Sequence, residues 1–163
     1  MYPANFIYHR AECFEHASYL LGDLGEDAKF IAGGQTLIPM IKLRLLKPSA
    51  LVDLRDIPDA DDIIETDRAI EIGALARHDA IARSGVAARH LVLKDCAAGI
   101  ADVQVRNMGT IGGSLAEADP NSCLPTLLIA LDARVRCVGP AGSREQPVRT
   151  LLADAYTPDL SQG

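Results

Sequence analysis

The chain has no tryptophan, and its few phenylalanines and tyrosines bring aromatics to only 4% of 163 residues. That disfavours an aromatic-rich β-sandwich and leaves alanine, leucine and isoleucine to build the core. No two of Cys13, Cys96, Cys123 and Cys137 stand in Cys-x-x-Cys spacing, so neither a zinc site nor an iron–sulfur cluster is signalled. Their scatter is no disulfide framework and fits a reducing compartment. There is no basic excess: 16 lysines and arginines face 22 acidic residues, a net charge of −6. An electrostatic footprint for nucleic acid is therefore missing. No apolar run is long enough to span a bilayer, and MYPANFIYHR lacks the basic and apolar regions of a signal peptide. The expectation is a cytoplasmic domain that meets no membrane. Two nucleotide fingerprints are missing as well. Without Gly-x-x-x-x-Gly-Lys-Ser/Thr no P-loop is expected, and without Gly-x-Gly-x-x-Gly no Rossmann turn. No acid–base pair, nucleophile or metal-ligand set stands out.

What remains is an ordinary globular balance, 48% hydrophobic and 23% charged, at a length suited to one well-buried core. Phe14, Ala17, Leu20, Leu21 and Leu24 are spaced for a helix over 12–24, ended by Gly22 or Gly25. A short buried strand is expected at 29–33, a helix at 36–46 and a second strand at 50–54. Pro39 is tolerable in that helix only because it falls in the first turn. Residues 62–66 and 69–74 alternate about a short polar turn and predict a hairpin. Helical segments follow from His78 and over 87–101, then an apolar helix at 122–133 and a second hairpin beginning at 134–139. The stretch between 101 and 122 is dense in breakers and reads as a loop.

Two glycine pairs interrupt this pattern, in AGGQT (32–36) and in RNMGTIGGSLAEADP (106–120). A glycine pair marks a place where a Cβ is not tolerated, because the chain turns sharply or something touches the bare backbone. Consecutive glycines can turn successive N–H groups to one side as an anion nest. The helix expected after AGGQT would add its positive end. Thr36 and Thr110 offer hydroxyls at the rims. Two such nests suit a ligand with two linked phosphates. His78 reads as a half-buried structural histidine, and Lys42 and Arg44 as solvated surface.

The runs AGGQTLIPMIKLRLLKPSALVDLRDI (32–57), IGALARH (72–78) and VRNMGTIGGSLAEADP (105–120), with the opening FIYHRAECFEHA (6–17), resemble the FAD-binding subunit of molybdenum hydroxylases. These are enzymes of the xanthine dehydrogenase and aerobic carbon monoxide dehydrogenase type. The resemblance implies an α+β fold, the two-lobed FAD-binding domain of the vanillyl-alcohol oxidase and p-cresol methylhydroxylase type. A small βαβ lobe would occupy 1–56 and a second α+β lobe 57–163, with FAD clasped between them. Carried over, the pyrophosphate-embracing loops are Ala32, Gly33, Gly34, Gln35 and Thr36, with Thr110, Ile111, Gly112, Gly113 and Ser114. Asp119 reads as a turn residue before Pro120 and is kept as a candidate cofactor contact. Family members often write Ala-Asp-Pro-x-x-Asp-Leu-Pro, whose second acid reaches the ribityl chain; here Cys123 stands in its place.

The resemblance further implies partners, an iron–sulfur subunit and a large subunit carrying molybdopterin. Electrons would pass from a [2Fe–2S] cluster through FAD to NAD or another acceptor, and no residue here would be catalytic. Family subunits continue well past the length of this chain, so an incomplete second lobe is expected. The rival readings are a flavin-dependent reductase acting on its own substrate and an assembly module that has lost the flavin.

Overall fold

A computed structural model describes residues 2–160. Strand β1 (Ile7–Arg10) is followed by helix α1 (Phe14–Leu24), strand β2 (Lys29–Ile31), helix α2 (Leu37–Lys42) and strand β3 (Ala50–Asp53). The three strands form a parallel sheet in the order β1-β3-β2. Central β3 is buried along its whole length, and Ala-Leu-Val-Asp is the unalternating sequence such a two-sided position requires. Its neighbours separate by face. Val52 packs with Ala11, Ala17 and the α1 side chains Phe14, Leu20 and Leu24, whereas Leu51 packs with Ile31 and Ile41 of α2. The sheet thus has one helix on each face, and its carboxyl edge carries the loops that follow β2 and β3.

Beyond it come the hairpin β4 (Ile63–Glu65) and β5 (Ile70–Ile72), then helices α3 (His78–Arg83), α4 (Gly85–Arg89), α5 (Leu91–Ala98), α6 (Val103–Arg106), α7 (Ile111–Glu117) and α8 (Cys123–Ala130). A second hairpin, β6 (Arg134–Gly139) and β7 (Gly142–Pro147), and helix α9 (Val148–Leu151) complete the described chain. Ala76, Ile81, Leu93, Ala97, Ile111 and Leu124 form one core cluster of this half, and Leu115, Val148 and Leu151 another.

Both hairpins and the helices expected at 12–24 and 122–133 are present. Four details differ. Strand β1 was not expected; it is an edge strand with mostly exposed side chains, so it carries no hydrophobic pattern. The helix read over 36–46 spans only Leu37–Lys42, with Pro39 in its first turn. The segment 87–101 is two helices broken at His90, where the backbone leaves the helical region. Residues 101–122 are not a plain loop, because they hold α6 and α7, and both glycines of the second pair lie in the first turn of α7. Glycine costs about 1 kcal/mol per position in a helix. Here the extended Thr110 caps the turn through its Oγ1, and Ile111 and Leu115, one turn apart, are both buried.

Candidate functional site

β2 runs directly into Ala32-Gly33-Gly34-Gln35-Thr36. Gly34 has φ +70, the left-handed region that glycine enters most readily, and it swings the chain into α2. The carbonyls of Gly34 and Thr36 accept from Ile38 and Met40. Among the described residues, the N–H groups of Gly33, Gly34, Gln35, Thr36 and Leu37 donate no hydrogen bond within the protein. This is a run of free donors at a half-exposed loop. A cluster of that kind is what an oxyanion fills.

The second stretch is built differently. Ile111 and Gly112 donate to the carbonyls of Ala76 and Ala74 at 3.0 and 2.8 Å. Gly113 donates to Thr110 Oγ1 at 3.1 Å, and Ser114 to the Thr110 carbonyl at 3.0 Å. Its backbone donors are therefore engaged. The expected pair of equivalent nests is one open nest and one knitted helix start, with the hydroxyls of Thr110 and Ser114 as the latter's polar groups. Thr110 is buried, and Ser114 Oγ lies 3.4 Å from His78 Nε2.

Packing explains two of the four paired glycines. A Cβ on Gly33 would lie 2.8 Å from Gly109 Cα and from the Met108 carbonyl carbon, and nearer still to the Met108 oxygen. A Cβ on Gly112 would lie 2.6 Å from the Ala74 oxygen. Both positions let backbones from distant parts of the chain touch. Gly113 is different, since its Cβ would meet only the Thr110 hydroxyl oxygen, at 2.9 Å, and the residue is exposed. His78, expected to be half-buried, is 4% exposed; burial lowers its pKa, and among the described residues Nδ1 has no hydrogen-bond partner.

The open nest faces a cleft of about 690 Å³, lined by Gly33, Gly34, Gln35, Ile38, Lys42, Arg55 and Met108 among others. A smaller recess of about 40 Å³ shares Ala32, Gly33, Arg55 and Met108 with it and reaches Thr110. The larger cleft has two cations in its wall and no acid, in a chain whose net charge is −6. Lys42 is thus a cleft residue, not merely solvated surface. Arg55 escaped the sequence reading altogether. Its Nε lies 3.0 Å from both carboxylate oxygens of Asp53 and its Nη2 lies 2.5 Å from Oδ2. Burial of Asp53, which is 3% exposed, would push its pKa up. Hydrogen bonds from Arg55 and from the Tyr8 hydroxyl outweigh this and hold it at about 2.

Comparison with known proteins decides which lineage built this cleft. Residues 4–163 match the family described as "FAD binding domain in molybdopterin dehydrogenase". The chain belongs to that family. It is 44% identical over its whole length to the alpha subunit of the 6-hydroxypseudooxynicotine dehydrogenase complex of Paenarthrobacter nicotinovorans, and covers 55% of that protein. It is 41% identical to the carbon monoxide dehydrogenase medium chain of Afipia carboxidovorans, of which it covers 57%. In structure it resembles carbon monoxide dehydrogenase from Hydrogenophaga pseudoflava, with a TM-score of 0.94 at 41% identity over 98% of this chain and 56% of the other. The chain thus spans a little over half the length of these relatives. The expected fold class is the one found, and the family's cofactor is FAD.

The residues fit an FAD diphosphate at the open nest, where Gly33, Gly34 and Gln35 with their free N–H groups line one cleft with Lys42 and with Arg55, one edge of which is taken by Asp53. They say less about the rest of the cofactor. Asp119 is held in a local turn, accepting from Asn121 N–H at 2.9 Å and from the Tyr156 hydroxyl at 3.1 Å. The Asn121 backbone bond is the main cause of its lowered pKa. Cys123 is exposed at the start of α8, and its thiol is free. Neither residue lines the two recesses. Among the described residues no helix is long and apolar enough to cross a membrane.

Proposed function

We propose that this chain holds FAD in a cytoplasmic molybdenum hydroxylase complex. The dinucleotide's diphosphate lies on the loop opened by Ala32, with its Gly33–Leu37 donors, and Thr110, Ile111, Gly112, Gly113 and Ser114 form the facing wall. Asp119 and Cys123 stand towards the ribityl end. The division between lobes falls between residues 56 and 57. A partner subunit with a [2Fe–2S] cluster supplies electrons, a molybdopterin-bearing large subunit oxidises the substrate, and NAD or another acceptor receives the electrons. When bound, FAD supplies the redox chemistry; this chain's residues bind it, orient it and limit its contact with water.

One observation carries this reading, the free donors of residues 33–37, of which Gly33, Gly34 and Gln35 line a cleft walled by Lys42 and by the Asp53-paired Arg55. Calorimetric titration of FAD tests it. FAD should bind, ADP should compete with it, and both should weaken as salt rises. A chain that takes neither ligand would overturn the assignment. Mixing with the partner subunits tests the relay, because flavin reduction by hydroxylase substrate should require them. Substrate-driven reduction by the chain alone would instead favour a direct reductase.

A further inference from the structure

We infer that Arg55 is a phosphate-gripping residue of this cleft, held in one pose by Asp53 and Tyr8, with its Nη1 edge left for an oxygen of the nucleotide diphosphate. This rests on the FAD reading above and assigns it a residue outside the two glycine stretches.

A guanidinium is a planar fork with two usable edges. One edge is taken here. Nε and Nη2 bind the Asp53 carboxylate, whose Oδ1 also accepts the Arg55 backbone N–H at 2.9 Å. Nη2 approaches the Tyr8 hydroxyl at 3.3 Å, and that hydroxyl donates in turn to Asp53 Oδ2. Parallel pairing sets this up: Tyr8 on β1 stands opposite Leu51 on β3, and Asp53 follows two residues on, on the same face. Nη1 makes no hydrogen bond within the protein among the described residues. The residue is 44% exposed by side chain and lines both recesses beside Gly33.

A buried carboxylate is costly to leave unpaired, so Asp53 keeps the arginine from swinging into solvent. The side chain's ordering cost is then met on folding rather than on binding, which is how a preorganised group gains affinity. Lysine could satisfy Asp53 but not reach both sides, since a point charge has no second edge.

Arg55→Lys is therefore the informative variant. It keeps a cation on Asp53 and removes the Nη1 donor. Competition of ADP and of adenosine against FAD, read by calorimetry, should show ADP weakened about tenfold and adenosine unchanged. Tyr8→Phe, which loosens the clamp without touching charge, should weaken ADP by a smaller factor and leave adenosine alone. Unchanged ADP affinity in Arg55→Lys, with FAD still bound by the parent chain, would overturn the role of Arg55 and spare the FAD assignment. Equal losses for ADP and adenosine would also overturn it, showing a distorted cleft instead. A parent chain that binds neither FAD nor ADP would refute both.

Discussion

Replacing Gly33 by alanine separates the two reasons a glycine can be required. The added Cβ would sit 2.8 Å from Gly109 Cα and from the Met108 carbonyl carbon, where ordinary contact begins at 3.4 Å. Both obstacles are backbone, so no side chain can rotate away and the loops must part by more than half an ångström. Overpacking of this kind typically costs about 1–3 kcal/mol. Gly113→Ala is the control, because its Cβ meets only Thr110 Oγ1. Alanine there gains up to about 1 kcal/mol of helix propensity against a partial loss of the Thr110 cap, also about 1 kcal/mol. Urea denaturation should therefore show Gly33→Ala less stable by about 2 kcal/mol and Gly113→Ala close to the parent. FAD titration should show affinity lost in Gly33→Ala, whose nest has moved. A Gly33→Ala protein with the parent's urea midpoint would refute the close approach of loops 32–36 and 108–109.

Acid should destabilise the fold through Asp53. Its pKa falls from an ordinary 3.8 to about 2 on folding, so its contribution is complete above pH 4 and is lost as pH drops towards 2. At about 1.4 kcal/mol per pH unit that is on the order of 2 kcal/mol. Urea midpoints followed from pH 5 to pH 2 should fall less steeply in an Asp53→Asn/Arg55→Gln double variant than in the parent; parallel curves would remove Asp53 as the cause. Thr110→Val should lower stability by about 0.5–2 kcal/mol through the lost cap. Thr36→Val should leave the urea midpoint unchanged, since Thr36 makes no capping bond, and weaken FAD alone. Cys123→Asp should raise the preference for FAD over ADP, because a carboxylate would then accept from ribityl hydroxyls; an unchanged FAD-to-ADP ratio would place Cys123 away from the ribityl chain.

The glycine pairs were legible because their composition is unusual, but their reasons were not. Gly33 is glycine on account of Met108 and Gly109, far along the chain, and no local pattern encodes that approach. Helix α7 was read as a loop because propensity weighs two glycines heavily, whereas burial of Ile111 and Leu115 outweighs them. The cap was visible, since Thr110 precedes Ile111 in the order of an N-terminal helix signal, and could have announced the helix. Arg55 looked like one more charged residue after a strand. Its place depends on the parallel register that brings Tyr8 beside β3, and β1 itself shows no alternation of burial to read. β3 and the two hairpins were legible because their signals are local, the short run Ala-Leu-Val in one case and alternation or turn residues around tight connections in the other.

The central claim, that the diphosphate lies on the Gly33–Leu37 donors, is tested most directly at the donors themselves. Backbone amide resonances of isotopically labelled protein, followed as ADP and then FAD are added, report each N–H separately. The account predicts large shifts and slowed exchange at Gly33, Gly34, Gln35, Thr36 and Leu37. It predicts small changes at Ile111 and Gly112, whose protons already bond Ala76 and Ala74. Saturating FAD that leaves residues 33–37 unmoved while shifting 111–112 would contradict it.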